Sequence, residues 1–165
     1  MKNFSVLDLS RQAIIAAIYV VLVFAFQWIS FGDIQFRVAE LLLLLVFFDK
    51  KSAVGLTLGV VIANLFSPML AYDMTFGVGA TLLTLTLMIL LRKWPYVALL
   101  MPALFNGLLV GYSLYLAFDL PFIASAISVG IGEFTVTYII GLPLYYILKQ
   151  IHFETIYFRE SETKK

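Results

Sequence analysis

Apolar residues run through this chain in long blocks, without the alternation of a half-buried strand or the one-sided stripe of a soluble helix. Charge, proline and glycine divide the blocks into six segments, at about residues 11–28, 36–48, 52–66, 75–91, 95–118 and 121–148. Segments that are apolar all round predict helices facing lipid. Two are short: at about 1.5 Å per residue, the roughly 13 to 15 residues of 36–48 and 52–66 cover some 20 Å of a hydrocarbon layer about 30 Å thick. Fusing them into one helix would place Asp49, Lys50 and Lys51 at mid-membrane, at about 2.5 to 3.5 kcal/mol for each charge. A hairpin with that triplet at its tip is far less costly. The pattern predicts an all-α membrane protein with six transmembrane helices in a single polytopic domain spanning residues 1–165.

Composition removes most other readings. Of 165 residues, 62% are hydrophobic and 13% charged, whereas a soluble domain is about half apolar and a quarter charged. The mean hydropathy of +1.01 leaves too little polar surface to coat a water-soluble globule of 18.6 kDa. The first block is too long for a signal-peptide core and lacks a small-residue cleavage pattern, so it is read as a retained span. A formal net charge of +1 offers no basic field for nucleic acid. Without cysteine, and with His152 as the one histidine, no metal site, disulfide framework or cysteine nucleophile is expected. No phosphate-cradling loop and no convergent Ser, His and Asp set is evident, so neither an enzyme nor a resident cofactor is expected. Any ATP hydrolysis must come from another chain.

The distribution of charge sets the expected orientation. With six crossings and a cytoplasmic amino terminus, both termini are cytoplasmic, and Lys2, Arg11, Lys50, Lys51, Arg92, Lys93, Lys149, Arg159, Lys164 and Lys165 all fall inside. Arg37 alone falls outside, among acidic residues at Asp33, Glu40, Asp73 and Asp119. The tail at about 149–165 alternates charge with Ile151, Phe153, Ile156, Tyr157 and Phe158, and is expected to form a short interfacial helix with a frayed end.

Chemistry concentrates in the outward half. Asp33, Gln35, Phe36, Arg37 and Glu40 lie within eight residues, and Arg37 and Glu40 are spaced to share a helix face and pair. Their bland use is a salt bridge capping a helix. Asn106 and Glu133 each lie about a dozen residues from the loop at Asp119 and Leu120, hence at similar depth where they can meet. An ionisable residue deep in a membrane segment is costly and points first to function. Asn64, one turn before Pro68, is a third candidate, with bridging between helices as its plain use. Trp28, Phe31, Phe36, Tyr72, Phe76, Tyr112, Tyr115 and Phe122 crowd the same half. Most suit an interfacial belt, and Phe36 and Tyr112 are taken as the stacking candidates. Small residues at four-residue spacing, Ala13 with Ala17, Gly55 with Gly59 and Ala63, and Gly107 with Gly111, give smooth stripes for helix packing, or for a partner where a stripe faces lipid.

Three stretches carry a family resemblance: Ile34 to Glu40, Gly55 to Pro68 and Phe76 to Leu82. They resemble QueT-type substrate-binding (S) subunits of energy-coupling factor transporters, and the likeness covers residues 11–148, the first stretch being the most specific. It implies a multi-pass protein of the bacterial plasma membrane that captures a scarce micronutrient from outside. The protein would then dock on a shared module of one transmembrane coupling subunit and two ATPases. For this type the implied cargo is a queuosine precursor, a 7-deazaguanine base. Ala13 and Ala17 match the stripe that contacts the coupling subunit in the class. A guanine-like edge presents adjacent N–H donors that suit Glu133 or Glu40, while its acceptors suit Asn106, Asn64 or Gln35, and Arg37 either latches a lid or contacts the ligand. Lids are expected around Asp33 to Arg37 and Ser67 to Thr75. Two other classes compete: a stand-alone ion-coupled permease or oligomeric channel using Glu133, and an intramembrane enzyme, which lacks a nucleophile and base at one depth.

Overall fold

The computed structural model describes residues 4–30 and 36–157, and every regular element among them is helical. All six apolar segments have become helices: α1, Val6–Ala25; a 3₁₀ helix, Val38–Phe47; α2, Ser52–Asn64; and α3, Leu70–Leu90, α4, Pro95–Phe118 and α5, Phe122–Gln150. Four of them, α1, α3, α4 and α5, are long and apolar enough to cross a membrane, and the other two are shorter. A single turn at Phe153–Tyr157 follows α5, and the rest of the predicted tail lies outside the described residues.

Local chemistry explains the ends. Ser5 and Asp8 form a reciprocal cap on α1, Asp8 N–H donating to Ser5 Oγ at 3.1 Å and Ser5 N–H to the Asp8 carboxylate at 3.0 Å, which satisfies two donors that a helix start leaves open. Pro95 opens α4, where its missing N–H costs no hydrogen bond. Asp119, at φ 55°, ends α4 in the left-handed conformation, and Pro121 then launches α5. α3 starts several residues earlier than the apolar pattern predicts, at Leu70, and so takes Asp73 into the helix.

Two of the small-residue stripes seal helix pairs. A Cβ on Gly55 would stand 2.6 Å from the Gln12 carbonyl oxygen, and one on Gly59 2.8 Å from Tyr19 Cβ, so α2 lies directly on the backbone of α1. A Cβ on Gly111 would stand 2.6 Å from Ala126 Cα, which does the same for α4 and α5. In both seams the absence of a side chain lets backbones touch. Ala13 and Ala17 differ: they are exposed on the side of α1 away from that seam, while Ala16 is buried in it. Ile14, Ile18, Leu82, Leu108, Ile123 and Ile127 are likewise exposed, as a lipid-facing belt requires.

The 3₁₀ helix threads the centre of the bundle, where Leu43, Leu44 and Val46 join Tyr19, Leu56, Met88 and Leu99 in the core. The apolar pattern predicts an α-helix there. Winding at about three residues per turn instead places Arg37, Glu40, Leu43 and Val46 in one row, and the last three are at most 2% exposed. The tighter winding also lengthens the segment, since about 2.0 Å per residue replaces about 1.5 Å. Two π segments interrupt the long helices, Asp73–Gly77 in α3 and Phe134–Ile140 in α5. The second begins directly after Glu133, and Thr137 Oγ1 donates back to the Glu133 carbonyl at 2.7 Å, satisfying an acceptor in the altered turn.

Candidate binding site

Polar groups converge where the C-terminal ends of α1 and α2 meet the start of the 3₁₀ helix and of α3. Tyr19 shares the buried face of α1 with Gln12, Ile15 and Ala16, and its hydroxyl donates to Glu40 Oε1 at 2.6 Å. Glu133 comes from α5 and is fully buried; its Oε1 accepts from Asn106 Nδ2 at 2.9 Å and lies 4.0 Å from Arg37 Nε. The predicted meeting of Asn106 and Glu133 is therefore present. Arg37 reaches across to Glu133, whereas Glu40, three residues along, is held by Tyr19. At 4.0 Å the Arg37–Glu133 approach is too long for a hydrogen bond, so Glu133 steers the guanidinium by charge.

Above this cluster a cavity of about 300 Å³ opens between the helix ends. Tyr19, Val23, Phe24, Ala39, Ala63 and Phe66 form its apolar wall, and Gln27, Arg37, Asn64, Ser67 and Asp73 its polar one. Phe24 and Phe66 meet edge to face, with centroids 5.4 Å apart. The polar wall is fastened internally: Asn64 Nδ2 donates to the Asp73 carbonyl at 2.9 Å, the Ser67 hydroxyl bonds Asp73 Oδ2, and Met69 N–H donates to Ser67 Oγ at 3.0 Å. These bonds fix the segment from Asn64 to Asp73, which includes much of the second predicted lid.

Of the residues singled out in the sequence, Arg37 and Asn64 line the cavity directly. Glu40 and Glu133 stand behind Arg37, and Asn106 behind Glu133. Phe36 is half-buried just before the 3₁₀ helix and does not line the cavity. Tyr112 packs with Phe76, Tyr115 and Phe122 elsewhere and is not brought to it. Gln35 and Asp33 lie outside the described residues.

The sequence pattern does not single out Tyr19, and it holds Ser67 and Asp73 only as parts of the expected lid. The signal for Tyr19 was available, because Gln12 and Tyr19 are seven apart in an otherwise apolar stretch and so share a helix face. The arrangement offers hydrogen-bond acceptors, a guanidinium and aromatic edges beside a small void, which is equipment for binding. Among the described residues no three His, Cys, Asp or Glu side chains stand close enough to share a metal ion.

A family model described as QueT transporter matches residues 9–150. A Queuosine precursor transporter QueT from Lactococcus lactis subsp. cremoris (strain MG1363) is 40% identical over 93 residues, which is 55% of this chain and 54% of that protein. The chain thus spans about half the length of that curated relative. No solved structure matches.

Proposed function

The chain belongs to the QueT transporter family, and from that premise we propose that it is the substrate-capturing subunit of an energy-coupling factor importer. It takes up a queuosine precursor, a 7-deazaguanine base, from outside the cell. Membership makes it a transporter rather than an enzyme, and its long apolar helices make it a multi-pass protein of the cell membrane. In this reading all six apolar helices cross, and both termini face the cytoplasm. The short 3₁₀ helix is buried among the longer helices, while α2 packs on α1 and keeps Val54 and Leu58 exposed.

The observation that carries the proposal is the cavity at the helix ends, which combines a guanidinium, an amide, a carboxylate and aromatic walls in about 300 Å³. That volume is at the small end of the range for ligand pockets, about 300 to 1,000 Å³, and suits a single flat base. Arg37 and Asn64 serve its acceptor edge, and Phe24, Phe66 and Tyr19 its faces. Glu40 and Glu133, each with one oxygen lacking a partner, hold Arg37 in place by charge and come within reach of N–H donors once it moves. A ligand missing one donor would leave a buried acceptor unpaired, which gives discrimination as well as affinity.

Ala13 and Ala17, exposed on α1, offer the flat surface on which the coupling subunit docks, and two ATPases then drive release. Mass spectrometry of the molecule that co-purifies with the detergent-solubilised protein tests the cargo: a deazapurine supports it, and a different tightly held micronutrient overturns it. Ala13→Trp with Ala17→Trp tests the docking and should abolish co-purification of the coupling subunit while leaving ligand binding intact. Gradient-driven uptake by vesicles holding this chain alone would replace the reading with a self-sufficient permease.

A further inference from the structure

The stripe Gly55, Gly59 and Ala63 on α2 climbs from the Lys51 end of the bundle to the cavity, and its three members meet different surroundings. Gly55 faces Gln12, whose side-chain oxygen accepts the Gly55 N–H at 3.1 Å. Ala63 lines the cavity itself. Gly59 lies between them, buried and not part of the cavity lining. A Cβ there would stand 2.8 Å from Tyr19 Cβ, 3.1 Å from Tyr19 Cγ and 3.2 Å from Ala16 Cα. The bare glycine therefore decides where the stem of the Tyr19 side chain can sit, as glycine does wherever a backbone is closely approached.

What happens at that stem is passed on. The tyrosine ring is rigid, so a shift at Cβ reaches the hydroxyl undiminished and a tilt is enlarged there. That hydroxyl donates to Glu40 Oε1 at 2.6 Å, a bond that Oε1 accepts whether or not Glu40 carries its proton. Glu40 is 2% exposed, and its N–H donates to the Arg37 carbonyl at 2.9 Å in the first turn of the 3₁₀ helix. Tyr19 thus ties α1 to the turn that presents Arg37 to the cavity. We propose that Gly59 is a positioning residue for the cavity: by admitting the Tyr19 stem at backbone contact it sets the hydroxyl on Glu40, and so sets the turn that carries Arg37. The seam between α1 and α2 then tunes affinity from beneath the site, while the equally tight contact at Gly55 only closes the bundle. This deepens the reading of the cavity as the capture site and rests on it.

Gly59→Ala and Gly55→Ala each add one methyl group, at contacts of 2.8 and 2.6 Å to the nearest atom, so the second is a control for packing damage. In titration calorimetry with 7-deazaguanine on the detergent-solubilised full chain, Gly59→Ala should bind about fivefold or more weakly, as for loss of one buried hydrogen bond. Gly55→Ala should stay within about twofold of wild type. Tyr19→Phe keeps the ring and its contact with Gly59 and removes the hydroxyl alone, so in that background Gly59→Ala should weaken binding by less than about twofold more. Equal effects of the two alanines, or a Gly59→Ala effect undiminished in Tyr19→Phe, would overturn the proposal. If wild-type protein does not bind 7-deazaguanine, the cargo reading fails, and thermal unfolding of the same proteins decides the proposal. The drop in midpoint caused by Tyr19→Phe should shrink by about half or more in Gly59→Ala and persist in Gly55→Ala; equal drops in all three backgrounds overturn it. Should Gly59→Ala not fold, hydrogen exchange of Tyr19→Phe against wild type takes its place. Faster exchange around Gly59 with none around Gly55 supports the proposal, and no change, or the same change at both, overturns it.

Discussion

The two ends of the bundle handle charge in opposite ways. At the Lys51 end, Asp8 faces a single lysine, with Lys51 Nζ 2.5 Å from Asp8 Oδ2; Phe4 lies under that ammonium at 5.4 Å, and Gln12 Oε1 accepts from Gly55 N–H at 3.1 Å. The unpartnered polar atoms of α1 and α2 near that end, Gln12 Nε2 and Ser52 Oγ, are neutral. At the Arg37 end, among the described residues, one guanidinium stands near Glu133, Glu40 and Asp73, with Arg37 Nε 4.0 Å from Glu133 Oε1, and three of the unpartnered atoms, Glu133 Oε2, Glu40 Oε2 and Asp73 Oδ1, belong to ionisable groups. A short one-to-one pair is what a bundle needs to close. A long, uneven cluster beside a void holds interactions in reserve for something else, so charge arithmetic separates the two roles where the mere presence of an ion pair does not.

Several substitutions can break or sharpen that contrast. Arg37→Ala should have the largest effect, because it leaves three buried carboxylates with no cation: a loss of about 3 to 5 kcal/mol, as for other broken buried pairs, read from thermal unfolding in detergent, together with loss of ligand binding. Tyr19→Phe removes the donor to Glu40 and leaves both of its oxygens bare, at about 1.5 to 3 kcal/mol for a hydrogen bond to a charged group. That change should weaken calorimetric binding without altering the fold. Lys51→Met should cost least, about 0 to 1 kcal/mol, and leave ligand affinity where it was. If Lys51→Met weakened the ligand as much as Tyr19→Phe, the division of labour between the two ends would be wrong.

How far the sequence discloses this arrangement depends on which physical rule governs each part. Segment limits were readable because lipid and chain punctuation set them: the stretch 95–118 emerges as Pro95–Phe118, and 52–66 as Ser52–Asn64 with a short cap. The approach of Asn106 to Glu133 was readable because equal depth can be counted from one loop. Three other features were not. The 3₁₀ and π windings of Val38–Phe47, Asp73–Gly77 and Phe134–Ile140 respond to packing across the bundle, and an unbroken apolar run carries no mark of its winding. Arg37 and Glu40 sit at a spacing that suggests a local pair, yet Arg37 approaches Glu133 and Glu40 accepts from Tyr19, both on other helices. Asp73 looked like part of a loop because the apolar pattern before Thr75 is weak, and only its contacts with Asn64 and Ser67 reveal it as part of the wall.

The 3₁₀ helix has an evolutionary consequence that can be read by counting. With about three residues to a turn, one inserted or deleted residue between Arg37 and Val46 would rotate everything on one side of it by roughly 120°. The guanidinium and Glu40 would then leave the row they share with Leu43 and Val46. Kindred chains should therefore vary freely in which apolar residue fills Leu41, Leu42 or Leu45, yet preserve the number of residues across this stretch without a gap.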